Sequence, residues 1–67
     1  MTNMQMLLAV SSIDAINAIG RDMAETIFNA IASGEKPSGR VLVEVANLSN
    51  AIGRDKAEAI FNYLMAC

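Results

Sequence analysis

The segment NAIGRDMAETIFN, residues 17–29, returns as NAIGRDKAEAIFN, residues 50–62. Eleven of the thirteen residues are identical, at a constant offset of 33 positions. Self-similarity of this kind is typical of a small structural unit that a chain uses twice. The sequence therefore predicts two similar halves related by a pseudo-twofold axis.

Apolar residues around each copy recur at the period of an amphipathic helix. After the glycine of the repeat they are Met23, Ala24, Ile27, Phe28 and Ile31 in the first copy, and Ala57, Ile60, Phe61, Leu64 and Met65 in the second. Before the glycine they are Leu8, Ile13, Ile16 and Ile19, and Val41, Leu42, Val45, Leu48 and Ile52. We expect an all-α fold of four to five short helices, with the two phenylalanine rings buried between the halves.

The chain is predicted to be a single domain, residues 1–67. Repeat unit one covers about residues 11–33, a connector covers 34–39, and repeat unit two covers about 40–67. The connector concentrates glycine, serine and proline, so one helix should end near Ser33 and the next should begin near Ser38.

The residues before the first repeat unit allow two interpretations. The pattern S-x-x-D at residues 11–14 is typical of a capping box, which could begin a new helix at Ser11. The alternative is one continuous or mildly kinked helix from about Asn3 to Ala18, and this is the arrangement we expect.

The turn inside each repeat has its own signals. Gly20 and Gly53 can adopt a positive φ, so they should end the helices that precede them. Asp22 and Asp55 stand where an N-cap is wanted, and a glutamate follows each of them three residues later. We expect both aspartates to cap the second helix of their repeat.

This turn resembles the helix-hairpin-helix motif, and the two copies together are similar to the tandem domain in which two such motifs are related by a pseudo-twofold axis. Residues 16–28 and 48–61 follow the motif's spacing of hairpin glycine, polar residues, alanine and a hydrophobic pair. The first hairpin glycine of the motif is replaced by Ala18 and Ala51. The resemblance is therefore degenerate at that position.

The resemblance implies a phosphate site at each hairpin. Family members that bind DNA hold a phosphate on hairpin N–H groups at the start of the second helix, often beside a basic residue. The matching positions here are the hairpin glycines Gly20 and Gly53 and the basic residues Arg21 and Arg54. These four residues are the candidates for binding a phosphate or another anionic ligand.

Two pairs of polar residues have less obvious roles. A surface arginine near a turn is commonly only a solvated charge, which is the alternative for Arg21 and Arg54. Asn17 and Asn50 are expected to hydrogen-bond the hairpin, as asparagine side chains often do near turns.

Composition disfavours several functions. The formal net charge is −2 with only five basic residues, which disfavours tight binding to nucleic acid. There is no histidine and only one cysteine, Cys67, so we expect no metal, no cofactor and no enzymatic activity. No apolar run approaches the roughly 20 residues of a membrane span, and no secretory signal is recognisable. We expect a cytoplasmic protein that does not contact membranes.

The size of the chain points to self-association. A core built from 67 residues rarely contributes more than about 3–5 kcal/mol, and 54% of the residues are hydrophobic. We expect a homo-oligomer, a dimer or larger, whose interface includes Met4, Leu7 and Leu8.

Three function classes follow from these observations. The leading hypothesis is a non-catalytic protein-interaction module that acts as a regulator, adaptor or inhibitor of a larger macromolecule. The second is nucleic-acid binding through the paired hairpins, as the resemblance implies. The third is binding of a small nucleotide-like anion between Arg21 and Arg54.

Overall fold

The computed structural model describes all 67 residues and is 79% helical, without strands. The expected all-α fold is confirmed. Five helices have seven or more residues, and a single helical turn, α5, follows α4 after a break at Leu48. The helical segments are α1 Asn3–Val10, α2 Ile13–Ile19, α3 Arg21–Ser33, α4 Gly39–Asn47, α5 Ser49–Ile52 and α6 Arg54–Met65.

The expectation of one continuous helix at the start of the chain is wrong, because α1 and α2 are separate. Ser12 is the N-cap of α2, and its Oγ accepts a hydrogen bond from the N–H of Ala15 at 3.2 Å. The same hydroxyl donates to the carbonyl oxygen of Ala9 at 2.7 Å. The Ser12 side chain therefore hydrogen-bonds to both α1 and α2. The capping residue is Ser12 and not Ser11.

Both hairpins turn on a glycine with a positive φ, as predicted. The φ angle is 88° at Gly20 and 94° at Gly53. Each glycine is the C-cap of one helix and also the N-cap of the next, without a side-chain cap. The expected capping by Asp22 and Asp55 is therefore wrong. Because the next helix begins directly after the glycine, both aspartates already lie in its first turn.

The connector follows the prediction closely. Helix α3 ends at Ser33, and Gly34 adopts the left-handed conformation with a φ of 73°. Ser38 caps α4 by accepting a hydrogen bond from the N–H of Val41 at 3.4 Å.

The core contains fourteen buried residues, all of them apolar. Repeat-equivalent positions contribute equally, since Ile27 and Ile60 are both fully buried and Ala24 and Ala57 are both buried. The contacts between helices are paired in the same way: α1 and α2 pack on α3 as α4 and α5 pack on α6. Between the halves, α2 contacts α5 and α3 contacts α6. Equivalent helices of the two halves therefore make equivalent contacts.

Some residues of the expected apolar stripes lie outside the core. Phe28 and Phe61 are half-buried at its edge, so the expectation that the rings are buried between the halves is wrong. Leu8 and Ile13 are 64% and 69% exposed, and Met65 is 45% exposed. None of the helices combines the length and the apolarity needed to cross a membrane.

Candidate interaction surface

Helix α1 has one face in the core and another in solvent. Met6 and Val10, four residues apart, are buried. Met4 and Leu8 are also four residues apart, and each is 64% exposed. Because side chains four apart share one face of a helix, the two pairs lie on different faces. Leu7, the third residue predicted for the oligomer interface, is half-buried against the core.

The exposed side chains Met1, Met4 and Leu8 form a surface that we call the α1 face. Met1 precedes the helix by two positions and is 54% exposed. Ile13, at the start of α2, adds a fourth exposed apolar side chain in this part of the chain. No charged side chain occurs from Met1 to Ile13. The protein therefore presents to solvent an apolar ridge without charged side chains.

A groove of about 580 Å³, which we call the α1 groove, lies beside this ridge. Half of its lining residues come from α1 and the residues that flank it, and the rest come from α2, α5 and α6. The lining residues are Met1, Gln5, Leu8, Ala9 and Ser12, and Asp14, Ala51, Ile52, Asp55 and Lys56.

The charges of the α1 groove nearly cancel. Asp55 and Lys56 are adjacent in α6, and Asp14 contributes one further carboxylate. All three residues are exposed, so their charges are solvated. The groove residues in α5 and α6 could not be predicted from the sequence, because these helices approach α1 only through the packing of the two halves.

The two hairpin arginines have different surroundings, although both stand at the first position of their helices. Arg54 Nε donates to Glu58 Oε1 at 3.0 Å, and both side chains are more than half exposed. Such a pair contributes less than about 1 kcal/mol. Arg21 makes no matching bond to Glu25, and it lines two shallow depressions of about 420 and 200 Å³. Arg54 lines neither of them, so no nucleotide-sized cavity joins the two arginines there.

The space over both hairpin glycines is open. A Cβ atom placed on Gly20 or Gly53 would meet no other atom within 4 Å. The positive φ, and not a close approach of the chain, therefore requires glycine at these positions. No side chain caps the first N–H groups of α3 and α6, and Asp22 and Asp55 lie in the same turns.

A depression of about 440 Å³ joins equivalent positions of the two repeats. Asn17 and Asn50 line it together with Ala18, Ala51 and Asp14. None of the side-chain hydrogen bonds of the protein involves Asn17 or Asn50, so the expected bonds to the hairpins are wrong. The repeat could have predicted this depression, because equivalent residues of two similar halves lie close together where α2 packs on α5.

The spacing of residues 16–28 and 48–61, together with the two positive-φ glycines, carries the resemblance to the helix-hairpin-helix motif. The tandem domain remains a prediction from this spacing. Comparison with protein-family models, with curated proteins and with solved structures finds no match to the chain.

Proposed function

We propose that this chain is a non-catalytic protein-interaction module of the cytoplasm, which binds itself and a larger protein or assembly as a regulator, adaptor or inhibitor. The observation that carries the proposal is the apolar α1 face, which has no charged side chain, beside the α1 groove. Exposed apolar surface on a small protein commonly marks an interaction site. The single exposed thiol, Cys67, supports a reducing compartment.

The position of the acidic side chains supports a role without catalysis. Six of the seven are exposed, and the seventh, Glu44, is only half-buried. A general acid or base works best in a site that shifts its pKa and excludes water. Surface charge that keeps the module soluble is the simpler role for these carboxylates.

Affinity capture from the source cell, followed by quantitative mass spectrometry, tests the proposal. The bait is the tagged chain, compared with the variants Leu8→Glu and Val43→Glu. Val43 is a matched control, because it is 63% exposed, against 64% for Leu8, but lies on α4 and outside the α1 groove. We expect a protein that is retained by the parent and by Val43→Glu and is lost from Leu8→Glu. Identical recovery on all three baits would contradict the proposal.

Nucleic-acid binding through the paired hairpins is the second candidate function. The observation that favours it is the uncapped start of α3 and of α6, with open space over Gly20 and Gly53. Free N–H groups at a helix N-terminus are suited to a phosphate, and Arg21 and Arg54 stand beside them. Asp22 and Asp55 oppose it, because their carboxylates would repel an incoming anion.

A further inference from the structure

We infer that the α1 groove is the binding site for a second copy of this chain, with α1 of each copy lying along the groove of the other. This inference rests on the proposed interaction function and names the partner of that surface. It commits to a homodimer with a twofold axis between the two α1 helices. In such an interface the same patch of both subunits is used.

The ridge that would enter the groove is present on the chain itself. Helix α1 contains no charged residue, whereas α2, α3, α4 and α6 each carry at least one. Only α5 is also uncharged, and it is a single turn. Among the longer helices, α1 alone can be covered without removing a charged group from water, which is costly. Met4 and Leu8 supply the apolar side chains of the ridge.

The groove matches a neutral ridge better than a charged one. Among the charged side chains of the groove, Lys56 is offset by the adjacent Asp55, and only Asp14 remains unbalanced. A strongly basic or strongly acidic peptide would therefore gain little from this site. An uncharged apolar helix avoids unfavourable charge contacts, and α1 of a second copy has that chemistry.

The length of the groove is also compatible with a dimer. The lining residues include Met1 before α1, Ser12 after it and three residues within it, so the groove runs the length of that helix. The eight residues of α1 span about 12 Å. A stable interface covers about 800 Å² on each partner, roughly a fifth of the 4020 Å² surface of this chain. The α1 face and the α1 groove together involve four of the six helical segments.

Sedimentation equilibrium of the purified full chain, from micromolar to millimolar concentration, tests the inference. We expect a reversible dimer for the parent and for Val43→Glu. Leu8→Glu, or the milder Leu8→Gln, should raise the dimer dissociation constant by about 30-fold or more, as expected for a central interface residue that occurs twice. Circular dichroism should show unchanged helicity, because the Leu8 side chain is mostly in solvent.

Three results would overturn the inference: a monomer over the whole range, a dimer that neither Leu8 variant weakens, or equal weakening by Leu8→Glu and Val43→Glu. The proposed function fails separately. If no cellular partner is captured while the purified chain dimerises as described, a second copy occupies the α1 groove. The proposal that the chain binds a larger protein is then wrong. If the chain is monomeric while a partner is lost on Leu8→Glu, the interaction function stands and the occupant of the groove is another protein.

Discussion

The hydroxyl of Tyr63 donates a hydrogen bond to the main-chain carbonyl oxygen of Ile31, at a distance of 3.4 Å. The same hydroxyl accepts a hydrogen bond from Asn3 Nδ2, also at 3.4 Å. Tyr63 thus connects α6 with the last turn of α3 and the first turn of α1. The equivalent residue of the first repeat is Ala30, so this connection has no counterpart in the other half. The two halves therefore differ where they meet α1.

Replacing Tyr63 by phenylalanine should lower the free energy of unfolding by about 0.5–1 kcal/mol. Both hydrogen bonds are longer than the usual distance, so we expect the low end of the range for a hydrogen bond in a protein. Urea denaturation of the parent and of Tyr63→Phe measures the difference. A loss well above about 1.5 kcal/mol would mean that the hydroxyl contributes more than these two bonds.

Ser12→Ala should destabilise the protein by about 1 kcal/mol, the usual cost of losing an N-cap. Ser11→Ala is the matched control, because Ser11 Oγ is exposed and only donates to the carbonyl oxygen of Leu8. Thermal melts of both variants should show the larger effect at Ser12. A larger effect at Ser11 would place the cap there, as the alternative interpretation of the sequence does, and equal effects would contradict a cap at Ser12.

That choice between two serines illustrates what the sequence could predict. The repeat and the helical periodicity were sufficient for the fold class, the connector and the hairpin glycines. They did not distinguish Ser11 from Ser12, because both positions can reach an N–H three residues ahead and only the packing of α1 selects one. Nor could they show that Gly20 both ends α2 and starts α3, which displaces Asp22 from the cap.

The candidate site was predictable only on its near side. Met4 and Leu8 follow from the excess of apolar residues on α1, and both are exposed. Ile52 and Lys56, on the far side of the α1 groove, depend on how the second half packs against the first. Tertiary packing of this kind leaves no local signal in the sequence.

Ile60→Ala should cost more than Phe61→Ala. The side chain of Ile60 is fully buried, and truncating such a residue costs about 2–5 kcal/mol. Phe61 is half-buried at the edge of the core, so part of its surface stays in water and the loss should be smaller. Denaturant unfolding of the two variants gives the order. A larger loss for Phe61→Ala would mean that the ring is deeper in the core than the structure places it.

Gly53→Ala should destabilise the protein by about 1–3 kcal/mol, because its φ of 94° and ψ of 147° are strained for any residue with a Cβ. No steric clash contributes, since the space around the position is open. Gly39→Ala is the control: it has ordinary helical surroundings and should be neutral or stabilising by a few tenths of a kcal/mol. Similar effects of both substitutions would argue against backbone strain at the hairpin.

The parent protein should bind duplex DNA weakly, with a dissociation constant of about 10⁻⁴ to 10⁻⁶ M or higher at physiological salt. The double variant Asp22→Asn with Asp55→Asn should bind more tightly, and most clearly at low salt, because it removes two carboxylates from the turns beside the open N–H groups. Fluorescence anisotropy with a labelled duplex measures both affinities.

Arg21→Ala with Arg54→Ala, added to the double asparagine variant, should abolish the gain in DNA affinity. If the parent binds duplex DNA with nanomolar affinity, and Arg21→Ala with Arg54→Ala in the parent abolishes that binding, the nucleic-acid function is favoured over the interaction module.

The shared role of each hairpin glycine limits how the chain can change in length. Since Gly20 is both the C-cap of α2 and the N-cap of α3, it is the only residue between the two helices. One inserted residue would rotate the following helix by about 100°, which would turn Ile27 out of the core. Substitutions at the hairpin are local events, whereas insertions and deletions change the phase of a whole helix. Residues 17–29 and 50–62 align at a constant offset of 33, with no insertion or deletion between the copies. This agrees with a hairpin that does not tolerate a change in length.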